Sequence, residues 1–494
     1  MTDWRDFLSC ERSLLIAPAG HGKTTAIAEC LLQCPSDTCQ LILTHTHAGL
    51  ASLRTKLNLH HVSPKKYQLD TISGFAQRYV LSFLGSCSLP EESNKLYFSR
   101  VIERCTELMC SEVVQTIIMQ SYAGVFVDEY QDCTIAQHNM IERLSKNLPL
   151  HILGDPLQGI FSFGSQELVD FDSNLSCYQK FETLTHPWRW HNINECLGET
   201  IYTIRTNLEK SLPISLSEIN TKKSITICKI SPNDDKFKTL ASLIDSYTSE
   251  STLIIYPSYT DKFESGKSVL RGNLKDRITL KQRSDYKNQF LILDAIDSST
   301  YYKCSKNIDK YVEDCQGEKE IKKISRLYDI LKMLQINVVE INKWMDNKKN
   351  RLKNRRGANS KYSEILHKVM AKFEQQPNLI NLYDVVNFIF KLPSIKSYHK
   401  ILYDTTCRCF EISKTNNIRM YEAMKLYKNR LRHQGRKVQG RFIGTTLLTK
   451  GLEFDTVIIW DAHKFQDAKN FYVAISRACR KLIIMTETMT LHFN

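Results

Sequence analysis

The sequence predicts an α/β fold built on parallel β-sheets, and the first half of the chain carries this prediction. Ser13–Ile16 is a short apolar run, followed by a glycine-rich turn and a helix-forming segment. A second apolar run, Leu41–Leu43, leads through a polar loop into a helical pattern over Leu50–Leu57. Gly124–Val127 and Leu150–Leu153 are further apolar runs that end in polar residues. Buried strands that alternate with helices indicate a parallel sheet whose carboxyl edge carries the polar residues.

Composition limits the class of protein before any motif is considered. The 494 residues suffice for two to four domains, and 42% hydrophobic with 24% charged residues is typical of a soluble globular chain. The net charge of +14 suits a polyanionic partner without establishing one. No apolar run is long enough to span a membrane and the first residues lack a signal peptide, so we expect a cytoplasmic protein with no membrane partner. The sixteen cysteines lack zinc-site spacing, which indicates reduced thiols.

The turn after the first strand is typical of a phosphate-binding loop. Gly20 and Gly22 let backbone N–H groups turn inward, and the helix start adds a partial positive charge. Lys23 is placed to reach the β- and γ-phosphates of a nucleotide, and the Thr24 hydroxyl to bind Mg²⁺. Ala17 stands where the first glycine of such loops is usual. The predicted nucleotide-binding residues here are Ala19, Gly20, His21, Gly22, Lys23, Thr24 and Thr25.

Two further strand ends carry residues suited to nucleotide hydrolysis. The run Gly124–Val127 ends in Asp128 and Glu129, and adjacent carboxylates repel unless a cation lies near them. We expect Asp128 to bind Mg²⁺ and Glu129 to activate the attacking water. Gln158, just beyond the strand at Leu150, is placed to contact a γ-phosphate or that water.

Hydroxyl and aromatic side chains follow other strands of the first half. Thr44, His45 and Thr46 follow the second strand, and Thr71 opens a similar strand-to-helix turn. Taken alone, these threonines are more simply explained as helix caps. Phe163 lies in a loop with two phenylalanines, where aromatic rings serve either as core residues or as stacking platforms for unpaired bases.

The order of these motifs resembles that of the UvrD/Rep/PcrA-like helicases of superfamily 1. APAGHGKTT, THTH, DEYQD and GDPLQ stand in the first half, and LTHPWR at 184–189 is similar to the family's L-x-x-N-Y-R box. TTLLTKGLEFD at 445–455 and YVAISRA at 472–478 are similar to the last two boxes. The resemblance covers about residues 13–190 and 440–485. It implies two RecA-like cores and an ATP hydrolase that acts as a DNA helicase.

The resemblance also implies roles for particular residues. Arg189 and Arg477 look like arginines that the second core donates to the γ-phosphate, which makes the implied catalytic set Lys23, Glu129, Gln158, Arg189 and Arg477. Glu453 resembles the residue that reaches the ribose, and Trp188 the aromatic that stacks on the base. The positions similar to the family's single-stranded DNA contacts are Thr44, His45, Thr46, Thr71, Phe163 and Thr445.

The chain departs from the family pattern at several positions. The upstream glutamine that reads adenine has no clear counterpart in residues 1–12. His45 replaces an aromatic, Leu447 replaces a histidine, and the arginine that is usual after the Phe163 position is missing. The ATPase residues therefore match the family better than the DNA-contacting residues do. We accordingly expect ATP hydrolysis more firmly than processive unwinding.

The predicted organisation has four parts. Residues 1–185 form the first RecA-like core with a small helical insertion at about 80–118, and 186–315 begin the second core. From 316 to 436 helical spacing and Lys-rich composition predict a helical insertion, and 437–494 complete the second core. Lys343–Arg356 in this insertion carries seven Lys or Arg residues, which are either a solvated face or a contact for DNA or protein.

The compact size and reduced insertions resemble the GajB-like helicase subunit of Gabija anti-phage systems, which works beside an OLD-family (GajA-like) nuclease. This resemblance implies a nuclease partner in a hetero-oligomer and a role in antiviral defence. We therefore expect an Mg-ATP-driven helicase or translocase on single-stranded or end-containing DNA. A DNA-end-sensing ATPase that does not unwind, and an ATPase acting on RNA, remain alternatives from the sequence.

Overall fold

A computed structural model describes most of the chain, and its residues group into two compact units. The described residues are 3–90, 96–160, 167–220, 224–231, 236–246, 251–257, 291–293, 299–317, 322–397, 399–434 and 440–493. Unit 1 comprises residues 1–260, 434–440 and 444–494, and unit 2 comprises 261–433 and 441–443. Phe163 lies outside the described residues.

Strands and helices alternate through the first half of the chain, as the sequence predicts. In chain order they are α1 (Arg5–Ser9), β1 (Arg12–Ile16), α2 (Lys23–Gln33), β2 (Gln40–Thr44), α3 (His47–Leu59), β3 (Tyr67–Thr71), α4 (Ile72–Leu84), α5 (Tyr97–Leu108), α6 (Glu112–Ser121), β4 (Gly124–Val127), α7 (Ile135–Leu144), β5 (Leu150–Gly154), β6 (Gln179–Phe181), α8 (Glu195–Glu209), β7 (Ile214–Ser215), α9 (Leu216–Ile219), β8 (Ile225–Lys229), α10 (Lys236–Ser246) and β9 (Thr252–Tyr256).

The described part of the second half is mostly helical until strands return near its end. Its elements are β10 (Leu291–Ile292), α11 (Ser299–Gln316), α12 (Lys323–Met333), α13 (Val338–Ile341), β11 (Met345–Asp346), β12 (Arg351–Leu352), α14 (Ser360–Gln375), α15 (Leu379–Lys391), α16 (Lys400–Asn416), α17 (Met420–Gln434), β13 (Arg441–Thr445), α18 (Thr446–Thr449), β14 (Phe454–Ile459), α19 (Ala468–Ile475), β15 (Ala478–Thr486) and β16 (Thr490–Leu491). None of the helices in the described ranges is both long and apolar enough to cross a membrane.

The first sheet of unit 1 is parallel and has the strand order β3-β2-β4-β5-β1-β6. Strand β1, which precedes the glycine-rich loop, lies between β5 and β6, and β4 is the neighbour of β5 on the other side. The carboxyl ends of β4, β5 and β1 therefore meet at one edge of the sheet. This edge is where parallel α/β sheets bind their ligands.

Alternating side chains of these strands bury both faces of the sheet. Leu14 packs in one core cluster with Val125 and Val127, whereas Leu15 packs in another with Phe126. All five side chains are at most 1% exposed. Burial on both faces explains why the strands read as continuous apolar runs.

Unit 1 also contains a second parallel arrangement, in which β9, β14, β15 and β8 lie side by side in that order. A register shift interrupts the β14–β15 pairing between Phe454 and Thr456. The predicted fold class, α/β with two RecA-like parallel sheets, is therefore confirmed.

Unit 2 has a helical core of its own. Tyr301, Leu327, Phe373, Leu382 and Phe410 belong to one buried cluster contributed by helices α11 to α16. Within this unit β10 pairs in parallel with β13, through Leu291 with Phe442 and Ile292 with Ile443. Helices α12 to α17 fall within residues 316–436, whose assignment to an insertion stays a prediction.

Two threonines after the strands act as helix caps. The Thr46 hydroxyl accepts from the Gly49 N–H at 3.0 Å and caps α3. The Thr71 hydroxyl accepts from the Gly74 N–H at 2.9 Å and caps α4. The capping interpretation of these threonines therefore holds, and it accounts for the side chains without a ligand.

Candidate active site

The glycine-rich loop bends because two of its residues adopt a left-handed backbone. Gly20 has φ 76° and Gly22 has φ 92°, values that residues with a Cβ rarely adopt. A Cβ on Gly20 would lie 2.8 Å from the Arg189 Cβ, and one on Gly22 would lie 2.7 Å from Trp188 Cδ1. The loop therefore needs glycine both for its shape and for the close approach of residues 188–189.

Lys23 begins α2 and joins the two carboxylates that follow β4. Its Nζ lies 2.6 Å from Glu129 Oε1 and 3.6 Å from Asp128 Oδ1. Burial disfavours the charged ammonium, but the two carboxylates outweigh burial and raise the pKa of Lys23. The loop lysine and the acidic pair thus form one charge cluster.

The two carboxylates differ in their surroundings. Burial raises the pKa of Asp128 to about 6, and the charge of Lys23 opposes this rise only in part. Burial also acts on Glu129, but the charges of Lys23 and Lys450 prevail and lower its pKa to about 2. Glu129 is thus held ionised, which is the state that a general base requires.

Glu129 is fixed by its backbone and by a neighbouring amide. It has φ 58° and ψ 41°, an uncommon conformation for a residue with a side chain. Gln131 Nε2 donates to Glu129 Oε2 at 2.5 Å, and the Glu129 N–H donates to Asp128 Oδ1 at 2.9 Å. Strained backbone of this kind clusters at functional sites, where the surrounding contacts maintain it.

Gln158 ends a short turn after β5 and is almost buried. Its Nε2 donates to Asp155 Oδ2 at 3.0 Å, and its backbone carbonyl accepts from Lys450 Nζ at 2.5 Å. Lys450 also donates to both carboxylate oxygens of Asp132, at 2.5 and 2.7 Å. Lys450 therefore links the loop after β13 to the turns after β4 and β5.

Arg189 lies beside the glycine-rich loop. Its backbone N–H donates to the Gly20 carbonyl at 3.0 Å, and its guanidinium contacts Glu453 at 2.6 Å and the Ser476 carbonyl at 2.5 Å. Its charge lowers the pKa of Glu453. Arg189 thus joins the loop to the segments that precede β14 and β15.

Arg477 is held within its own segment. Its Nε donates to the Val473 carbonyl at 2.9 Å, and its Nη2 donates to the Ser476 hydroxyl at 2.8 Å. Burial lowers the pKa of Arg477 to about 10, and the neighbouring Arg189 acts in the same direction. Two guanidinium groups in one buried region favour an anion between or beside them.

The other predicted nucleotide-contacting residues surround the loop. Trp188 is 56% exposed, and its ring lies 4.2 Å from the His186 ring, centroid to centroid. Ala19 donates its N–H to the Tyr472 hydroxyl at 3.0 Å. Thr24 and Thr25 are half-buried in the first turn of α2.

The side chain of His21 in the predicted loop is buried among aromatic rings. It is 2% exposed, and its Nδ1 lies 2.9 Å from the Ala19 carbonyl. Burial lowers the pKa of His21 to about 4. The neutral ring packs against Tyr202 of α8, with centroids 5.3 Å apart, and thereby ties the loop to that helix.

The predicted DNA-contacting residues are mostly buried. Thr44, Thr71 and Thr445 are 1%, 4% and 5% exposed, and Thr44 Oγ1 finds no hydrogen-bond partner within the described ranges. His45 Nε2 lies 3.2 Å from Cys133 Sγ, and burial lowers the pKa of His45 to about 3. Thr46 is exposed. Their contact with DNA stays a prediction.

Several residues that complete the site had no role in the sequence-based prediction. These are Gln131, Asp155, Arg205, Lys450 and Tyr472. Four of them belong to the motif stretches DEYQD, GDPLQ, TTLLTKGLEFD and YVAISRA, so their position in those stretches was an available signal. Arg205 is a lone arginine within a helix and has no local signal.

One cluster with metal-binding side chains lies apart from this site. Asp461, His463 and Glu487 come together, but Lys236 Nζ lies 3.0 Å from Asp461 and 2.5 Å from Glu487. An ammonium group thus already balances the two carboxylates.

The arrangement as a whole is typical of P-loop nucleotide hydrolases. Among such proteins, the chain is similar to helicases. Residues 86–173 match the UvrD/REP helicase N-terminal domain. The chain is 27% identical over 122 residues to the RecB component of the RecBCD enzyme of Buchnera aphidicola subsp. Acyrthosiphon pisum (strain APS). It is 29% identical over 123 residues to an ATP-dependent helicase/nuclease subunit of Alkaliphilus metalliredigens (strain QYMF).

These two matches cover 23% and 25% of this chain, and 10% and 9% of the respective relatives. The chain thus spans about a tenth of the length of each curated relative. The matches agree with the resemblance to UvrD-like helicases that the motifs indicate. The resemblance to Gabija subunits stays a prediction.

Two solved helicase structures share a remote likeness with the chain. One is an arterivirus nonstructural protein 10 helicase with DNA, with TM-score 0.27, 13% identity and coverage of 51% of this chain and 49% of that one. The other is a Pif1 helicase from Bacteroides with ADP-AlF3 and single-stranded DNA, with TM-score 0.36, 10% identity and coverage of 97% and 90%. At these TM-scores neither likeness bears on fold or function.

Proposed function

We propose that this chain is an ATP-dependent DNA helicase or translocase of the UvrD-like type. The observation that carries the proposal is the buried cluster of Lys23, Asp128 and Glu129 at the carboxyl edge of the first sheet. Arg189 lies beside the same loop through its backbone and adds a second cationic side chain, which pairs with Glu453. This combination of cations and one ionised carboxylate suits hydrolysis of a nucleoside triphosphate.

In the proposed reaction each residue has a separate task. Glu129, whose carboxylate is held ionised beside Lys23, accepts a proton from the attacking water. Lys23 and the backbone N–H groups of the loop stabilise negative charge on the phosphates. Gln158 orients the water or the γ-phosphate. Arg189 and Arg477 stabilise the charge that develops on the transferred group.

The site also fits a magnesium ion. The Thr24 hydroxyl and the Asp128 carboxylate are oxygen ligands, which Mg²⁺ prefers, and the pKa of Asp128 is raised because the carboxylate is buried. Thr24 and Asp128 would hold the ion, which would neutralise phosphate charge.

Coupling to movement would follow from the contacts of Arg189. Its backbone is tied to Gly20, while its guanidinium reaches Glu453 and Ser476 near the second sheet. Loss of the γ-phosphate would remove an anion that both arginines bind and would thereby change these contacts. Exposed Trp188, next to Gly22, would stack on the base, and Glu453 would contact the ribose.

DNA is the nucleic acid along which we propose that the protein moves. The net charge of +14 favours a polyanion, and both relatives are named as subunits of enzymes, one of them a helicase/nuclease. We assign the DNA contacts to Thr44, His45, Thr46, Thr71, Phe163 and Thr445.

The first test is phosphate release with and without single-stranded DNA, for the wild type and Glu129→Gln. Loss of the general base should lower turnover about 10²- to 10⁴-fold. Glu103→Gln is the matched control, because Glu103 is an exposed residue of α5 paired with Arg100 and should leave turnover unchanged. Equal turnover of wild type and Glu129→Gln would refute the assignment.

A second candidate is a DNA-end-sensing ATPase that does not unwind and instead regulates a partner nuclease. The burial of Thr44, Thr71 and Thr445 favours it, because buried hydroxyls do not reach DNA in this conformation. Strand displacement on a 3′-tailed duplex separates the candidates. Displacement by the wild type but not by Glu129→Gln supports the helicase, and DNA-stimulated hydrolysis without displacement supports the sensor.

The finer proposal is a cytoplasmic hetero-oligomer with an OLD-family nuclease, as in Gabija anti-phage systems. Its support is the names of the two relatives, which describe subunits. Co-purification with a co-expressed OLD-family nuclease tests it. A protein that elutes alone, whatever nuclease is co-expressed, would contradict it.

A further inference from the structure

Arg205 is a buried cation that has no role in the mechanism proposed above. It lies in α8, is 2% exposed and is among the largest fully buried side chains of the described chain. Its Nη2 lies 3.0 Å from Asp155 Oδ1, and its Nη1 lies 2.8 Å from Glu209 Oε2. Asp155 is fully buried, whereas the Glu209 side chain is 43% exposed.

Such a buried pair is not explained by stability alone. Removing both charges from water is costly, and apolar residues of similar volume often stabilise a core as well or better. Breaking the pair by removing one partner is destabilising, because it leaves one charge unpaired. The role of the Arg205–Asp155 pair is therefore sought in the other hydrogen bonds that Asp155 makes.

Asp155 organises the turn that carries Gln158. Its Oδ2 accepts from Gln158 Nε2 at 3.0 Å, and its Oδ1 accepts from the Leu157 N–H at 3.3 Å. Oδ1 is also the atom that faces Arg205. Because a carboxylate rotates as a unit, the arginine that fixes Oδ1 also fixes the direction of Oδ2, and with it the Gln158 amide.

The same aspartate is connected to the proposed general base. Its backbone N–H donates to Gln131 Oε1 at 3.0 Å, and Gln131 Nε2 donates to Glu129 Oε2 at 2.5 Å. Asp155 thus lies between the glutamine after β5 and the carboxylate after β4.

The glycine-rich loop is connected to the same hydrogen-bond network through Tyr472. Tyr472 of α19 is 1% exposed, and its hydroxyl accepts from the Ala19 N–H at 3.0 Å. Burial, together with the nearby Asp155 carboxylate, raises the pKa of Tyr472. A neutral hydroxyl that accepts from the loop still has a proton to donate to Asp155.

We propose that Arg205 is a positioning residue for nucleotide hydrolysis, which acts through Asp155 to orient the side chain of Gln158. This proposal rests on the proposed function, because Gln158 is the residue assigned to the γ-phosphate or the attacking water. Arg205 itself touches neither the nucleotide nor the reacting atoms.

The experiment is a double-mutant cycle on the full chain, with Arg205→Met, Gln158→Ala and the two combined. Arg205→Met should lower kcat about 10- to 100-fold while KM for ATP changes less than about 3-fold. In the Gln158→Ala background it should lower kcat by less than about 3-fold, because residues that act through one another are not additive. Effects that multiply in full would overturn the proposal.

Two further variants separate positioning from folding. Glu209→Gln removes the other carboxylate of Arg205 and should leave kcat unchanged. Asp155→Asn with Arg205→Met removes both charges and should restore the midpoint of thermal unfolding but not kcat. Recovery of kcat together with the thermal midpoint would show a purely structural role and overturn the proposal. Should Arg205→Met fail to fold, Arg205→Lys takes its place in the same cycle.

A nucleotide-binding measurement keeps this proposal distinguishable from the proposed function. If the wild type does not hydrolyse ATP, the proposed function fails. The positioning role of Arg205 is then tested by the ratio of two affinities, that for a non-hydrolysable ATP analogue and that for ADP. Arg205→Met and Gln158→Ala should lower this ratio by the same factor. A ratio that Arg205→Met leaves at the wild-type value would overturn the positioning role.

Discussion

Single buried polar residues determine much of how this protein should respond to pH and to substitution. His151 of β5 is 2% exposed, and its ring packs against Phe7 and Phe126. Its Nδ1 lies 2.7 Å from the Ser13 hydroxyl. Burial, with a contribution from the charge of Arg12, lowers the pKa of His151 to about 4.

This histidine should make the fold sensitive to acid. Below a pH of about 6.5 the unfolded chain protonates His151 while the folded chain does not, so stability is lost as pH falls towards 4. Between pH 7.5 and 4 the wild type should lose about 3 kcal/mol more unfolding free energy than His151→Gln. Urea unfolding at the two pH values measures it. His191→Gln removes an exposed histidine and should behave like the wild type; equal losses in all three proteins would contradict the prediction.

Lys450 and Asp132 form a second buried pair with a measurable effect. Burial raises the pKa of Asp132 to about 7, and Lys450 opposes the rise. Lys450→Met would leave this carboxylate without its cation and should lower the free energy of unfolding by about 3–5 kcal/mol. Denaturant unfolding tests this.

Two other variants check the cause. Lys372→Met breaks an exposed ion pair with Asp384 and should cost less than about 1 kcal/mol. Adding Asp132→Asn to Lys450→Met should recover most of the lost stability. No recovery would mean that Lys450 acts through contacts other than the one with Asp132.

At the scale of the element, the strand–loop–helix unit formed by β1, the glycine-rich loop and α2 depends on backbone shape as much as on side chains. Gly22 caps α2 in a left-handed conformation, and Trp188 lies directly over it. The loop is therefore formed jointly by its own glycines and by residues far along the chain.

Gly22→Ala should weaken nucleotide binding with a smaller effect on folding. The new Cβ would collide with Trp188 Cδ1 at 2.7 Å, so the ring or the loop must move. We expect a loss of at least about 10-fold in ATP affinity, which corresponds to about 1.4 kcal/mol. Isothermal titration calorimetry measures it.

Gly85→Ala is the matched control for that substitution. Gly85 also has a positive φ, 74°, but a Cβ there meets nothing within 4 Å. It should therefore cost about 1–3 kcal/mol of backbone strain, because φ 74° with ψ 172° is a conformation that is nearly restricted to glycine, and it should leave nucleotide affinity unchanged. Equal nucleotide affinities for the two variants would show that the Trp188 contact is unimportant.

At the scale of the whole molecule, the chain forms two compact units with separate hydrophobic cores. Ile152 belongs to a core of unit 1, and Leu327 to the core of unit 2; both are fully buried. Units with their own cores commonly unfold in separate steps.

Scanning calorimetry should accordingly resolve two transitions. Leu327→Ala should cost about 2–5 kcal/mol and shift one transition, and Ile152→Ala should shift the other by a similar amount. A single transition that both variants lower equally would show that the two units unfold as one.

The local units of this protein could be predicted from its amino acids alone. Apolar runs, glycines and helix-forming segments predicted β1, β2, β4 and β5 with their following turns, because periodicity and turn chemistry are local properties. The same motifs placed Lys23, Asp128 and Glu129 just after the carboxyl ends of strands, and parallel strands of one sheet share one carboxyl edge.

Which distant polar groups meet depends on the folded chain. Arg205 pairs with Asp155 across 50 residues, Lys450 with Asp132 across 318, and Tyr472 with the Ala19 N–H across 453. A lone arginine in a helix, such as Arg205, has no local signature, because its partner is selected by burial and by the need to satisfy a charge or a hydrogen bond there. Thr46 and Thr71 both cap helices, yet Thr46 is exposed and Thr71 is buried, a difference that two similar strand-to-helix turns do not reveal in sequence.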